Sequence, residues 1–190
     1  GLKDIGGLSG LQVVAGRLVL SKGSLTNVDG PSALASIGQG SSDATWGIPG
    51  LSIIDLDILE NLDGLRGLSG SLANLEITDN DSLTSLDGLS GVTSVTGDLA
   101  VEANSSLASL SGFENIASVG GSLRVLYNNK SLDDQLLRGL GECTAIAELL
   151  GYPNGPPDDS VGGGIYLGTE GGRILNIESD DEGNVPENAE

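Results

Sequence analysis

Residues 83–107 read LTSLDGLSGVTSVTGDLAVEANSSL, and this stretch decides the fold. Apolar residues stand at Leu83, Leu86, Leu89, Val92 and Val95, three apart each time, and then at Leu99 and Val101, two apart. Asn104 follows, and the cycle restarts at Leu107. The two-residue spacing, with Asp98, Ala100 and Glu102 in between, is that of a short strand with one face inward. The three-residue spacing fits neither a long helix nor a strand. It fits the bent or 3-10-like sides of a coil in which every third residue turns inward.

The same cycle appears on both sides. Leu107, Leu110, Phe113, Ile116, Val119, Leu123, Val125, Asn128 and Leu132 follow it. Leu59, Leu62, Leu65, Leu68, Ser71, Leu75, Ile77, Asn80 and Leu83 precede it. Two earlier cycles are degenerate. One runs Leu2, Ile5, Leu8, Leu11, Val14, Leu18, Leu20; the other runs Leu25, Val28, Pro31, Leu34, Ile37 and resumes at Leu51, Ile53, Leu56. An insert, residues 38–50, interrupts the second and carries the only tryptophan, Trp46. A repeat of roughly 24 residues cannot bury its apolar side alone, but stacked copies can. Asn80, Asn104 and Asn128 share one slot, where an inward amide bonds the backbone of a neighbouring turn. Leu56 takes that slot in the second cycle. Gly88, Gly97, Gly112 and Gly121 fall at corners, where glycine permits positive φ.

The unit L-x-x-L-x-G-L-x-x-V-x-x-V-x-G-x-L-x-V-x-x-N-x-x-L resembles the receptor L-domain repeat, a relative of leucine-rich repeats. The resemblance covers residues 2 to 132 and is strongest over Leu59 to Leu132. It implies a mainly β chain wound as a right-handed parallel β-solenoid of about five turns, usually outside the cell, so secreted or at a cell surface. The family shares a fold among different jobs, so the resemblance assigns none.

Residues 1–131 therefore read as the solenoid. Residues 132–151 read as a helical cap, because Leu136, Leu140, Cys143, Ala147 and Leu150 form one stripe between an N-cap at Ser131 and Gly151. Residues 152–190 read as a linker, a hairpin from two β-like runs (Gly164–Gly168 and Arg173–Ile177) and an acidic tail. The chain opens on Gly1 rather than Met, which reads as a processed product or an excised piece.

Composition narrows the function. The net charge is −19, with eight basic residues scattered along the chain, which disfavours nucleic acid and anionic membranes. No apolar run is long enough for a membrane span. Histidine is absent, which removes the commonest general base, and Cys143 has no partner, so the chain reads as non-catalytic. Asp55 and Asp79 share one slot and Asp57 and Asp81 another. Stacking would gather these four as oxygen donors for Ca²⁺, or leave them as a solvated acidic corner. Three N-x-S/T sequons occur. Two use ladder residues, which leaves Asn129 as the candidate for glycosylation. The outward strand positions Asn74, Glu76, Thr78, Asp98, Ala100, Glu102, Ser122, Arg124 and Leu126 are mixed and show no dedicated face. Two functions follow as expectations. The first is a structural subunit of an extracellular assembly, a homo-oligomer or a neighbour to other subunits. The second is a recognition module for a protein or glycan, with Trp46 as a contact.

Overall fold

The computed structural model describes residues 2–38, 49–132, 165–168 and 174–177. Among the described residues the chain is mainly β, with parallel sheets arranged as a solenoid of about four turns and minimal helix. The strands are β1 (Val13–Val14), β2 (Arg17–Ser21), β3 (Ser36–Ile37), β4 (Gly50–Ile54), β5 (Gly70–Leu72), β6 (Leu75–Thr78), β7 (Val92–Val95), β8 (Leu99–Glu102), β9 (Leu123–Leu126), β10 (Ile165–Gly168) and β11 (Ile174–Ile177). Among the described residues, seven of them form one sheet in the order β11-β10-β9-β8-β6-β4-β2. The five repeat strands β2, β4, β6, β8 and β9 bound four complete turns.

Pairing register follows the repeat. Leu18, Leu51, Leu75, Leu99 and Leu123 align across the sheet, as do Leu20, Ile53, Ile77, Val101 and Val125. These rows face inward and pack against Leu59, Leu62, Leu65, Leu68 and their equivalents in one core. Each fully buried leucine contributes about 1.5–3 kcal/mol relative to exposure. The three-residue spacing includes 3-10 turns at Gly6–Leu8, Asp63–Leu65 and Asp87–Leu89. A short second β face also appears, as β1 with β3 and β5 with β7. Here one slot shifts. The inward residue of the third cycle is Leu72, 1% exposed, and not Ser71. A bulge between Gly70 and Ser71 aligns Leu72 with Val95, because the inner position has to be apolar.

The corners obey a different rule from the expected one. Positive φ falls on Lys22 (53°), Asp55 (57°), Asp79 (56°), Ala103 (54°) and Tyr127 (59°), each directly after a sheet strand. The N–H of four of these residues donates to the strand end of the next turn: Lys22 to Ile54 O, Asp55 to Thr78 O, Asp79 to Glu102 O and Ala103 to Leu126 O. Stacking thus holds a conformation that costs about 1–2 kcal/mol in an L residue. Gly88, Gly97 and Gly121 are not at positive φ; Gly112 is, at 103°. Glycine recurs instead for close approach. At Gly30, Gly64, Gly88 and Gly112 a Cβ would overlap the carbonyl oxygen of Ile5, Val28, Leu62 and Leu86 respectively. The turn before each is tied by a side-chain oxygen, on Asn27, Asn61, Ser85 or Ser109, that accepts the N–H two residues on.

The insert ends earlier than the spacing suggests, because Gly50 is the first, buried residue of β4. Its φ of 139° and its contact with Asn74 backbone explain the glycine. The chain is helical at residues 130–132, and the N–H of Ser131 donates to Asn129 Oδ1 at 2.9 Å. Asn129, not Ser131, thus caps this start. The rest of the expected cap lies outside the described residues. β10 pairs parallel with β9 and antiparallel with β11, so the two β-like runs of the C-terminal region extend the solenoid sheet. No helix among the described residues is long and apolar enough to cross a membrane.

Candidate functional site

The interior amides form a continuous ladder. Asn80 Nδ2 donates to Ile53 O, Thr78 O and Asn104 Oδ1, each at 3.0 Å. Asn104 Nδ2 repeats this toward Ile77 O, Glu102 O and Asn128 Oδ1 at 2.9–3.0 Å. Asn128 Nδ2 donates to Val101 O at 2.8 Å. Two amide hydrogens are shared among three oxygens at each full rung. The carbonyl side is used as well, since the backbone N–H groups of Asn80 and Asn104 donate to the next Oδ1. These amides are buried and consumed by the fold, so Asn80 and Asn104 are closed to a glycan. The ladder ends on the Leu56 N–H, which donates to Asn80 Oδ1 at 3.3 Å. In the first turn the slot holds Gly23, and Leu56 Cδ2 lies 3.3 Å from where its Cβ would stand. Leucine over glycine fills with carbon the space that asparagine fills elsewhere.

A second ladder runs at the entry to the strands. The Asp98 N–H donates to Asn74 Oδ1 at 2.9 Å, and the Ser122 N–H donates to Asp98 Oδ1 at 2.8 Å. The composition of this column, Asn-Asp-Ser, is mixed. Its one legible signal is that all three types carry a side-chain oxygen, spaced 24 apart.

The aspartates of the acidic corner lie on the surface. Asp55, Asp57, Asp79 and Asp81 are exposed, and no three acidic side chains among the described residues converge to hold an ion. Hydroxyls from the next turn serve this corner: Ser82 Oγ donates to Asp57 O, and Ser105 Oγ donates to Asp81 Oδ1. Asn129 belongs to the same system, with Nδ2 donating to Ser105 O at 3.0 Å. The nitrogen a glycan would occupy is thus already tied to the fold. Trp46 and Cys143 lie outside the described residues.

The outer sheet face carries a shallow cavity that the mixed sequence hid. Arg17, Pro49, Gly50, Ser52, Asn74, Glu76, Asp98, Ala100 and Arg124 border a shallow cavity of about 150 Å³. Its floor is small because Ser52 and Ala100 stand in one register row with Glu76 and Arg124. Arg17 donates to Ser52 Oγ and to Glu76 Oε2 at 2.9 Å, and Ser52 Oγ donates to the same carboxylate oxygen. Arg124 Nε donates to Glu102 Oε1 at 2.9 Å and lies 3.9 Å from Asp98. Both guanidinium groups are therefore internally paired. Such half-exposed pairs contribute about 0–1 kcal/mol each and fix side-chain positions more than they stabilise.

No family model, curated protein or solved structure matches the chain. The functional reading rests on the geometry and on the repeat pattern.

The remaining feature is the first turn. Leu2 (61% exposed) and Leu8 (38%) stand open, while their equivalents in later turns, such as Leu59 and Leu65, are buried; Val13 (57%) and Val19 (46%) are exposed on outward positions. Leu11, Val14 and Leu18 are only partly covered. The outer edge of β2 pairs with no described strand.

Proposed function

We propose that this chain is a non-catalytic structural module of an extracellular assembly, secreted or held at a cell surface, in which copies or neighbouring subunits pack on the solenoid end. The observation that carries this reading is the first turn. It presents Leu2, Leu8, Val13 and Val19 beside a strand edge, a combination that soluble proteins usually cover or blunt. The receptor L-domain resemblance supports a right-handed wind and an extracellular setting, the five apolar cycles support about five turns, and the stripe Leu136, Leu140, Cys143, Ala147 and Leu150 supports a helical cap over residues 132–151. End-to-end contacts of this kind make filaments when they do not close on themselves. Calcium is not needed in this reading, since hydroxyl donors already serve the corner of Asp57 and Asp81. Light scattering over a wide protein concentration range, with calcium and with chelator, is the test. Growth of the particle with concentration, equal in both conditions, is expected. A monomer throughout would overturn the reading.

The outer-face cavity favours a second reading, recognition of a protein or glycan ligand. A solenoid insert, here with Trp46, is a common place for such contacts. In that case Ala100→Trp, which fills the cavity, abolishes ligand binding in a glycan or protein array while the β circular-dichroism signal is kept.

A further inference from the structure

The seven-stranded sheet has two different margins, β2 and β11. Strands β2, β4, β6, β8, β9 and β10 all run parallel, and β11 alone is reversed. We propose that these margins are the two halves of one interface: β2 of one copy pairs antiparallel with β11 of the next. This inference rests on the assembly reading above and names its contact.

Three observations select this pairing. The first is direction. When copies stack in the same orientation along the sheet, the reversed β11 meets the next β2 antiparallel, the geometry with the straighter hydrogen bonds. The lengths differ by one, five residues against four.

Charge is the second. Residues 2–25 carry Lys3 and Lys22 against Asp4, besides Arg17, which is paired with Glu76 of the same chain, in a chain whose net charge is −19. Residues 173–190 carry Glu178, Asp180, Asp181, Glu182, Glu187 and Glu190 against Arg173 alone. Pairing β2 with β11 joins the basic end to the acidic end. The competing arrangement, β2 with β2 about a two-fold axis, would bring two basic ends together.

The third is register. Val19, Ser52, Glu76, Ala100, Arg124, Tyr166 and Asn176 form one continuous row across the sheet. Continuation of the sheet into the next copy returns the row from Asn176 to Val19. The exposed Val19 then gains a cross-strand neighbour.

The test mixes two full-length variants, Val19→Cys and Asn176→Cys, and treats them with a short bis-maleimide that tolerates a one-step shift of register. Peptide mass mapping separates the products from those at Cys143. A 19–176 link formed in the mixture and in neither variant alone is expected, and its yield falls as salt rises. Assembly in light scattering with links only between two copies of position 19 overturns this inference and leaves the assembly reading standing. A particle that stays monomeric overturns both. The variant Val19→Pro removes an edge N–H without touching the buried rows. It is expected to weaken assembly at least tenfold with an unchanged β circular-dichroism signal. Unweakened assembly counts against the β2 edge.

Discussion

Residues 2–25 and residues 83–107 are both one turn of the same repeat, yet they are held by different means. In the later turn Leu83, Leu86, Leu89, Val92 and Val95 are 0% exposed, Asn104 binds both neighbouring turns, and Gly88 lies against the backbone of the turn below. In the first turn Leu11, Val14 and Leu18 are partly covered, and Gly23 stands where the amide would be. The apolar spacing is nearly the same in both. What differs is the number of stacked neighbours. Solenoid stability comes largely from interfaces between turns, so a turn with one described neighbour is held less firmly than a turn with two.

The largest expected effect breaks an interface between turns. Gly88→Ala drives a Cβ into the Leu62 carbonyl and is expected to cost about 3 kcal/mol or more. Gly30→Ala makes the same overlap with Ile5, but the first turn can shift away, so about 1–2 kcal/mol is expected. Urea denaturation midpoints compare the two. Equal losses would show that the first turn is as rigid as the rest.

Removal of a rung comes next. Asn104→Ala removes the acceptor of the Asn80 backbone N–H and the side-chain donor to Ile77 O, for an expected loss of about 3 kcal/mol. Leu56→Asn is the converse, a rung placed over Gly23. It trades a buried leucine for an amide with fewer partners and is expected to lose about 2 kcal/mol. If Leu56→Asn instead raised the denaturation midpoint, the ladder would be limited by sequence and not by the first turn.

The smallest effect is a gain. Ala103 sits at a φ of 54°, where glycine is unstrained. Ala103→Gly is expected to stabilise by about 0.5–1 kcal/mol after its greater unfolded-state entropy is counted. Lys22→Gly, at the same corner of the first turn, is expected to give less than about 0.5 kcal/mol, because a turn with one described neighbour can relax the strained φ. Thermal unfolding resolves both signs.

Much of this was legible from spacing. The inward rows, the strand at Leu99–Glu102 and the shared slot of Asn80, Asn104 and Asn128 all repeat with one residue type. The second ladder through Asn74, Asp98 and Ser122 was obscured because three different side chains perform one bond. Ser71 was misassigned because a bulge is a fault in the period that a periodic reading relies on. Glycine misled in a third way. Its frequency suggested positive φ, while Gly88, Gly97 and Gly121 are needed for space and the strained corners fall on Asp55, Asp79, Ala103 and Tyr127.

By itself the sequence determined that turns stack, since a repeat with one apolar side has no other way to hide it. It also determined which residues point inward, because a side chain's class and its period are local properties. Only the tertiary structure decided which oxygens answer which amides, that Ser52 and Ala100 line a cavity, and that β10 and β11 extend the sheet from residues far along the chain. Those outcomes depend on distances between turns and between chain segments, and no spacing within one turn carries them.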